Sequence, residues 1–204
     1  AIDMRLYLAG ASMADLYPLT GITLPKTPEF STEGHLIGVT DKRGGKWTYE
    51  KFKGKVGDSD IAGSLVYEAK QPRPLLSGTV VSNLLQLSDL GPVIGADSNE
   101  SKKERGVAAN QPANKVLPVE KFTTERWGSI DADVKITGHK IVHSASLPIE
   151  NLDTHLKLED SVVTLSPLKF GVAGGNLIGD IKLDGRNNVC LLYTSDAADD
   201  SLRV

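Results

Sequence analysis

Apolar and polar residues alternate with a period of two in four separate stretches, and this alternation constrains the fold more than any other feature. The stretches are residues 61–68, 130–137, 152–159 and 177–184. Successive side chains of a β-strand point to opposite faces, so each stretch has one apolar face and one polar face. The alternation therefore predicts half-buried strands in an antiparallel sheet that is covered on a single side.

A short repeat marks two places where the strand pattern is interrupted. The sequence Asp-Leu-x-Pro-(Leu/Val)-x-Gly occurs at residues 15–21 and again at residues 89–95. In each copy the Asp can cap a helical turn, the Pro ends the turn, and the Gly permits the positive φ with which the chain leaves it. The repeat therefore predicts one or two short helical turns.

A longer repeat aligns residues 56–65 with residues 172–181. Both copies combine the end of an apolar strand, a reversal at small or Asp/Asn residues, and a strand of the form Ile/Leu-x-Gly-x-Leu/Ile. This similarity predicts a β-meander unit that is used twice. Gly63 and Gly179 fall in the middle of strands, where glycine permits curvature or close approach of another backbone, so we expect a strongly bent sheet.

The chain divides into two β-rich blocks. Residues 97–115 contain no aromatic residue and no periodicity, which predicts a flexible polar insert. The insert separates a first block, residues 1–96, from a second block, residues 116–189. The predicted fold class is mainly β: a curved antiparallel sheet of repeated β-meander units that forms an open groove.

The C-terminal segment differs in character from the rest. Residues 190–199 resemble the in-frame translation of an adapter used in DNA sequencing libraries. We therefore interpret residues 190–204 as a non-native tail and expect no strand after Val189. Cys190 is the only cysteine, which excludes a disulfide framework and a cysteine-based zinc site.

The composition argues against nucleic acid as a partner and against a membrane-spanning helix in these residues. The 23 Lys and Arg against 26 Asp and Glu give a net charge of −3, so nucleic acid is not an expected ligand. No apolar run approaches the length of about 18 to 20 residues that a membrane-spanning helix needs. We expect this part of the protein to be soluble.

No catalytic or metal-binding pattern emerges. His139 and His143 are four residues apart in a strand-like stretch, where about 13 Å would separate them. Asp58 and Asp60 bracket a turn, without the spacing of a calcium loop. Asp131 and Asp133 form the polar half of an alternating strand. We therefore expect no enzyme activity, no catalytic residue, no metal and no cofactor.

Taken together, the motifs resemble those of the AsmA family. The resemblance is carried by Leu6-Tyr-Leu8, residues 13–21, Leu24-Pro25, residues 47–65, residues 87–95, Leu117-Pro118 and residues 168–179. It implies a large envelope protein of Gram-negative bacteria, with an N-terminal inner-membrane helix and a long β-rich periplasmic body. The anchor is not present in these residues. Family members resemble bridge-type carriers that conduct phospholipid and support outer-membrane assembly.

The alternation and the resemblance agree on a passive lipid-binding groove. An open sheet with one apolar face can present that face to a phospholipid or another acyl-chain lipid, held by buried apolar area. The groove candidates are Ile61, Leu65, Val134, Ile136, Leu156, Leu158, Phe170, Val172, Leu177 and Ile181. The alternative is a closed β-sandwich that binds envelope proteins through its edges and assists outer-membrane protein assembly.

Overall fold

The structure is a computed structural model, and it describes most of the two predicted β-rich blocks. The described residues are 1–20, 24, 27–41, 44–86, 89, 127–142, 149–186 and 191–196. The predicted insert at residues 97–115 lies outside them, as do His143 and Cys190.

Within these described ranges, ten strands form one sheet in which the spatial order equals the chain order. The strands are β1 (Ile2–Gly10), β2 (Phe30–Asp41), β3 (Gly44–Val56), β4 (Ser59–Glu68), β5 (Leu75–Gln86), β6 (Asp131–Val142), β7 (Ile149–Glu159), β8 (Val162–Val172), β9 (Gly175–Asp184) and β10 (Leu191–Asp196). The described residues also include 3-10 helices at Met13–Leu16 and Trp127–Ser129, the short helix α1 at Tyr17–Thr20, and the helical residue Asp89. The predicted fold class, a mainly β open sheet with short helical turns, is confirmed.

The sheet consists of two five-stranded antiparallel meanders joined side by side. Within β1–β5 and within β6–β10 every neighbouring pair is antiparallel. The junction is different, because β5 and β6 run parallel, with Leu75 opposite Asp131 and Gln86 opposite Val142. Parallel neighbours need a connection that returns the chain to the starting end of the sheet, and the long segment 87–130 provides it. The sheet is therefore antiparallel, as predicted, at every junction except this one.

The expectation that no strand follows Val189 is wrong. Residues Leu191–Asp196 pair antiparallel with β9, with Leu191 opposite Asp184 and Asp196 opposite Gly179. Without them, β9 would present a row of unpaired N–H and C=O groups, and such an edge accepts almost any extended segment. Pairing of this kind depends on the main chain, so the origin of the side chains does not prevent it.

The first copy of the short repeat forms the predicted helical turn, but with a different cap. Ser12 is the N-cap: its Oγ accepts hydrogen bonds from the Ala14 N–H at 3.3 Å and the Thr27 N–H at 3.0 Å. The Met13 N–H donates in return to Thr27 Oγ1 at 2.9 Å. Asp15 remains exposed. Because the turn starts at Met13, Asp15 falls inside it and cannot occupy the cap position.

Unlike Asp15, the Asp of the second copy does cap a turn, the one between β3 and β4. The carboxylate of Asp89 is 7% exposed and accepts hydrogen bonds from the N–H groups of Asp58 at 3.1 Å and Ser59 at 2.9 Å. The Ser59 hydroxyl donates to the same oxygen at 2.6 Å. These donors form the turn between β3 and β4. Asp89 therefore stabilises the β3–β4 hairpin of the first meander, while residues 90–95 of the second copy lie outside the described residues.

The longer repeat is confirmed as a reused hairpin. The β3–β4 hairpin turns after Val56, and the β8–β9 hairpin turns at the equivalent place after Val172. Both hairpins also have a register shift at equivalent positions, between Tyr49 and Phe52 in the first and between Leu165 and Leu168 in the second. A bulge of this kind bends the strand and increases its twist. The repeat therefore encodes curvature as well as strand pairing.

Gly63 illustrates why glycine is required inside one of these strands. Its φ is +154°, and a Cβ placed on it would collide with the carbonyl oxygen of Thr79 on β5. The backbones of β4 and β5 can approach this closely only because the side chain is missing. The predicted close approach at Gly63 is confirmed.

The substitution Gly63→Ala should lower the free energy of unfolding by about 3 kcal/mol, because it combines strained φ with a backbone clash. Gly138→Ala is the matched control. A Cβ at Gly138 would meet the Leu152 Cβ at 3.5 Å, an ordinary contact. We expect the control to change stability by less than about 1 kcal/mol. Urea melts measure both values, and equal losses would contradict the proposed role of Gly63.

Candidate functional site

One face of the sheet is apolar from the first strand to the ninth, and we call it the apolar face. Its central row is formed by residues that lie opposite one another in register on successive strands. The row comprises Met4, Leu36, Tyr49, Leu65, Gly78, Val134, Leu156, Leu165 and Ile181. Since each strand contributes alternate residues to this face, the two meanders form one continuous apolar surface.

All ten groove candidates lie on the apolar face. Four of them, Leu65, Val134, Leu156 and Ile181, belong to the central row. The others lie on adjacent rows in register with apolar or glycine partners: Ile61 with Gly54, Ile136 with Val80, Leu158 with Val163, Phe170 with Leu177, and Val172 with Ile149. The parity of the alternating stretches is therefore sufficient to place eight of these side chains, whereas Phe170 and Val172 lie outside those stretches.

Sequence reasoning missed apolar residues on strands where a bulge changes the parity. Leu165 and Leu168 lie on the same face although three positions separate them, because the register shifts between them. Tyr49 and Phe52 behave in the same way on β3. The alignment of Trp47-Thr-Tyr49 with Val163-Thr-Leu165 at the same offset as the longer repeat is the signal that could have identified them.

The side chains of the apolar face are only partly covered. Val134 is 8% exposed, whereas Leu177 is 45% exposed and the other groove candidates lie between these values. The described strands all belong to one sheet, so no second sheet layer covers them within the described residues. The closed β-sandwich proposed as the alternative fold is therefore wrong for this part of the chain.

At one end of the first meander the apolar face closes around a cavity of about 320 Å³. Its lining includes Leu8 on β1 and Leu85 on β5, although three strands lie between them. Two side chains can border one cavity across that distance only if the sheet curves around it. Met13 and Leu16 of the 3-10 helix also line the cavity. The predicted bending is thus most evident here.

Tyr49 contributes a polar group to the lining of this cavity. Its ring stacks on Phe52 with centroids 5.3 Å apart, and its hydroxyl lies 3.2 Å from Thr32 Oγ1 and 3.3 Å from the Leu6 carbonyl oxygen. Burial raises the pKa of the Tyr49 hydroxyl. The group therefore stays neutral and is held by the protein.

The opposite face carries charged side chains in cross-strand pairs. His155 Nε2 lies 2.6 Å from Asp133 Oδ1, and this hydrogen bond is the main reason that the pKa of Asp133 is lowered. His35 Nε2 lies 2.5 Å from Asp3 Oδ1. Each pair joins the first and second strands of its meander. Exposed pairs of this type contribute about 1 kcal/mol at most, so this face serves mainly as the solvated side of the sheet.

The other titratable residues discussed in the sequence analysis either form a hydrogen bond within the protein or are exposed. Asp131 pairs with Arg73 Nε at 2.8 Å, and His139 is exposed on β6. Asp58 is exposed in the β3–β4 turn, whereas Asp60 binds β5. Among the residues that the structure describes, no group of three or more His, Cys, Asp and Glu side chains is placed to hold a metal ion.

Asp60 stabilises an irregular part of β5. Its carboxylate accepts hydrogen bonds from the N–H groups of Leu84 at 2.5 Å and Asn83 at 3.1 Å, and from the side chains of Asn83 and Ser82. Burial is the largest single influence and raises the pKa, but the hydrogen bonds together lower it below the ordinary value of 3.8. The folded state therefore favours the ionised carboxylate.

This shift predicts a pH-dependent stability. Because the folded-state pKa of Asp60 is below its unfolded value of 3.8, its contribution is complete above that pH and is lost as the pH falls through the lower folded-state value. The Tm difference between the unmodified chain and Asp60→Asn should be constant from pH 7 to 5 and should shrink below pH 4. Calorimetry measures it, and a difference that grows on acidification would contradict the prediction.

Comparison of the sequence with known proteins identifies the family to which the chain belongs. Residues 6–191 match the AsmA family. The AsmA family protein YhjG of Escherichia coli K12 is 46% identical over 192 residues, which cover 90% of this chain and 28% of that protein. No solved structure matches. The described residues include no helix that is both long and apolar enough to cross a membrane. The chain spans little more than a quarter of its relative, but the match covers nearly all of its own length: it belongs to the AsmA family.

Proposed function

We propose that this chain is part of an envelope protein that holds phospholipid by its acyl chains on the apolar face and conducts it across the periplasm. The observation that carries the proposal is the continuous apolar row across nine strands, half-exposed and without a second sheet layer in the described residues. An uncovered apolar surface of this extent is unfavourable in water, and in proteins it marks a binding surface. A flexible hydrocarbon chain is a suitable cover.

The proposed transfer is passive and needs no catalytic residue. Apolar burial stabilises a bound chain by about 25 cal/mol per Å² and has no preferred direction, so a lipid can move between equivalent positions along the rows. Charged residues of the opposite face form cross-strand pairs, such as His35 with Asp3, Lys46 with Glu68 and His155 with Asp133. The protein would therefore act as a conduit and not as an enzyme.

The cellular setting of the proposal follows from the family resemblance. In it, the longer protein is anchored in the bacterial inner membrane, its β-rich body lies in the periplasm, and lipid delivery supports outer-membrane assembly. The apolar row reaches β1 on one side and β9 on the other. A sheet with this row can be continued by further strands, which would lengthen the same surface.

A second candidate function is an interaction module for envelope proteins. The observation that favours it is the edge strand β1, which has one pairing partner in the described residues and exposes Tyr7 at 68%. An extended segment of another protein could add to this edge. Such a module would not need the apolar row, and lipid content therefore separates the two functions.

The test is a preparation of the chain in the absence of detergent, followed by native mass spectrometry and lipid extraction. We expect phospholipid to co-purify in a defined ratio to protein. A sample stripped of lipid should reload from liposomes of the same phospholipid composition. A folded chain that carries no lipid and does not reload would contradict the lipid-binding function and favour the interaction module.

A further inference from the structure

The cavity at the end of the first meander has walls from both copies of the short repeat. Met13 and Leu16 lie in or next to the first copy, and Asp89 begins the second, 74 residues later in the chain. The helical turn that carries Met13 is fixed to residue 27 by two hydrogen bonds, from the Met13 N–H to Thr27 Oγ1 and from the Thr27 N–H to Ser12 Oγ. The cavity therefore has defined walls: Met13 and Leu16 lie on one side, and Asp89 lies on the other.

The polar side chains that line the cavity are already occupied within the protein. Among the described lining residues, Thr27 accepts the Met13 N–H, and Tyr49 and Thr32 bind each other. The same holds on the far wall, where Ser59 donates to Asp89 and accepts from the Gln86 N–H at 2.9 Å. An occupant of this space would find mainly apolar contacts, so a hydrocarbon chain fits it better than a headgroup does.

The cavity is continuous with the apolar face. Tyr49 and Leu65 line it and also belong to the central row. Its volume of about 320 Å³ has room for roughly ten groups the size of a methylene, if each occupies about 30 Å³ as a water molecule does. This is the space of part of one acyl chain and not of a whole phospholipid.

We propose that this cavity is a terminal pocket for one acyl chain, whose methyl end lies beneath the helical turn Met13–Leu16 while the headgroup stays outside. The inference rests on the proposed lipid-binding function and specifies the hydrocarbon end as the part that enters. It also gives the bound lipid an orientation, because the polar end must lie away from the Met13–Leu16 end of the sheet. The helical turn Met13–Leu16 and Asp89 then border the pocket at this end of the groove.

The first test fills the pocket. Val80 lines it and lies opposite Gly63, which leaves space for a larger side chain, so Val80→Phe should fold. The added ring would displace about two methylene groups of the ligand, and each is worth about a factor of four in affinity. We therefore expect about sixteenfold weaker binding of cis-parinaric acid and of palmitic acid as its competitor.

Val81→Phe is the matched control, because Val81 is the next residue of β5 and points to the opposite face. It should bind both fatty acids within twofold of the unmodified chain. If Val80→Phe also binds like the unmodified chain, the terminal pocket is excluded while the lipid-binding function stands. If the unmodified chain binds neither fatty acid, the proposed function fails and the pocket fails with it.

A second measurement does not require the fold to accommodate a larger side chain. In a Cys190→Ser background, Ile61→Cys places a thiol in the pocket lining, and Ala62→Cys places one on the opposite face. Palmitic acid should slow the reaction of the Ile61→Cys thiol with a maleimide at least fivefold and leave the Ala62→Cys thiol unchanged. Binding of palmitic acid without protection of the Ile61→Cys thiol would overturn the inference.

Discussion

Leu165→Asp should abolish phospholipid retention while the chain remains folded. Leu165 lies in the central row between Leu156 and Ile181, so its carboxylate would stand in the path of an acyl chain. Its partial exposure leaves the new charge in contact with water when the groove is empty. We therefore expect a stability loss of only about 2 kcal/mol, compared with about 4 kcal/mol or more for an unpaired carboxylate in a closed core.

Thr164→Asp is the matched control for this substitution. It introduces the same charge one residue earlier, on the opposite face, where Thr164 lies between Lys157 and Lys182 in register. Retained phospholipid and the urea midpoint should both stay at the level of the unmodified chain. Lipid extraction and urea melts of the two variants give the result. If Leu165→Asp keeps its lipid, or if it fails to fold while Thr164→Asp folds, the open-groove interpretation is contradicted.

Asp89→Ala should destabilise the first meander more than the loss of any exposed carboxylate. The change leaves the buried N–H and hydroxyl groups of Ser59, and the partly buried N–H group of Asp58, without their acceptor. Unsatisfied buried donors cost about 1 to 3 kcal/mol each, so we expect a loss of about 3 kcal/mol or more in the free energy of unfolding. Hydrogen exchange should show faster opening of the β3–β4 turn.

The internal repeat supplies the control for Asp89. Asp15 occupies the equivalent position of the first copy but is exposed, so Asp15→Ala should change stability by less than about 0.5 kcal/mol. Denaturant melts compare the two variants directly. Equal and small effects would mean that the hydrogen bonds of Asp89 do not hold the hairpin, and that the second repeat has no role in closing the first meander.

Which face of a strand each side chain occupies could be predicted from the sequence, because the backbone of a single strand determines it. Whichever strand pairs with β6, Val134 and Ile136 point to the same side of the sheet, since the period of two is set by the backbone. The same holds for Leu156 and Leu158 on β7. Eight of the ten groove candidates lie in such stretches, so the apolar side of each strand could be assigned without knowledge of any strand neighbour.

The repeats carried a second kind of local information. The alignment of residues 56–65 with 172–181 identified two equivalent hairpins, and the glycine at position 63 indicated a close backbone approach. Where a bulge interrupts the alternation of side chains along a strand, the sequence pattern did not predict which face the apolar residues occupy. Ser166 and Pro167 occupy a bulge that puts Leu165 and Leu168 on one face, and alternation alone assigns them to opposite faces.

Long-range contacts decided the rest. The parallel pairing of β5 with β6, the capping of the β3–β4 turn by Asp89 across about 30 residues, and the pairing of residues 191–196 with β9 involve partners that no local pattern specifies. Main-chain hydrogen bonds form between any two extended edges that meet, so sequence alone does not encode which edges do. By itself the sequence determined an open sheet with one apolar face. The tertiary structure decided how that face curves, and curvature is what turns the end of the first meander into a cavity.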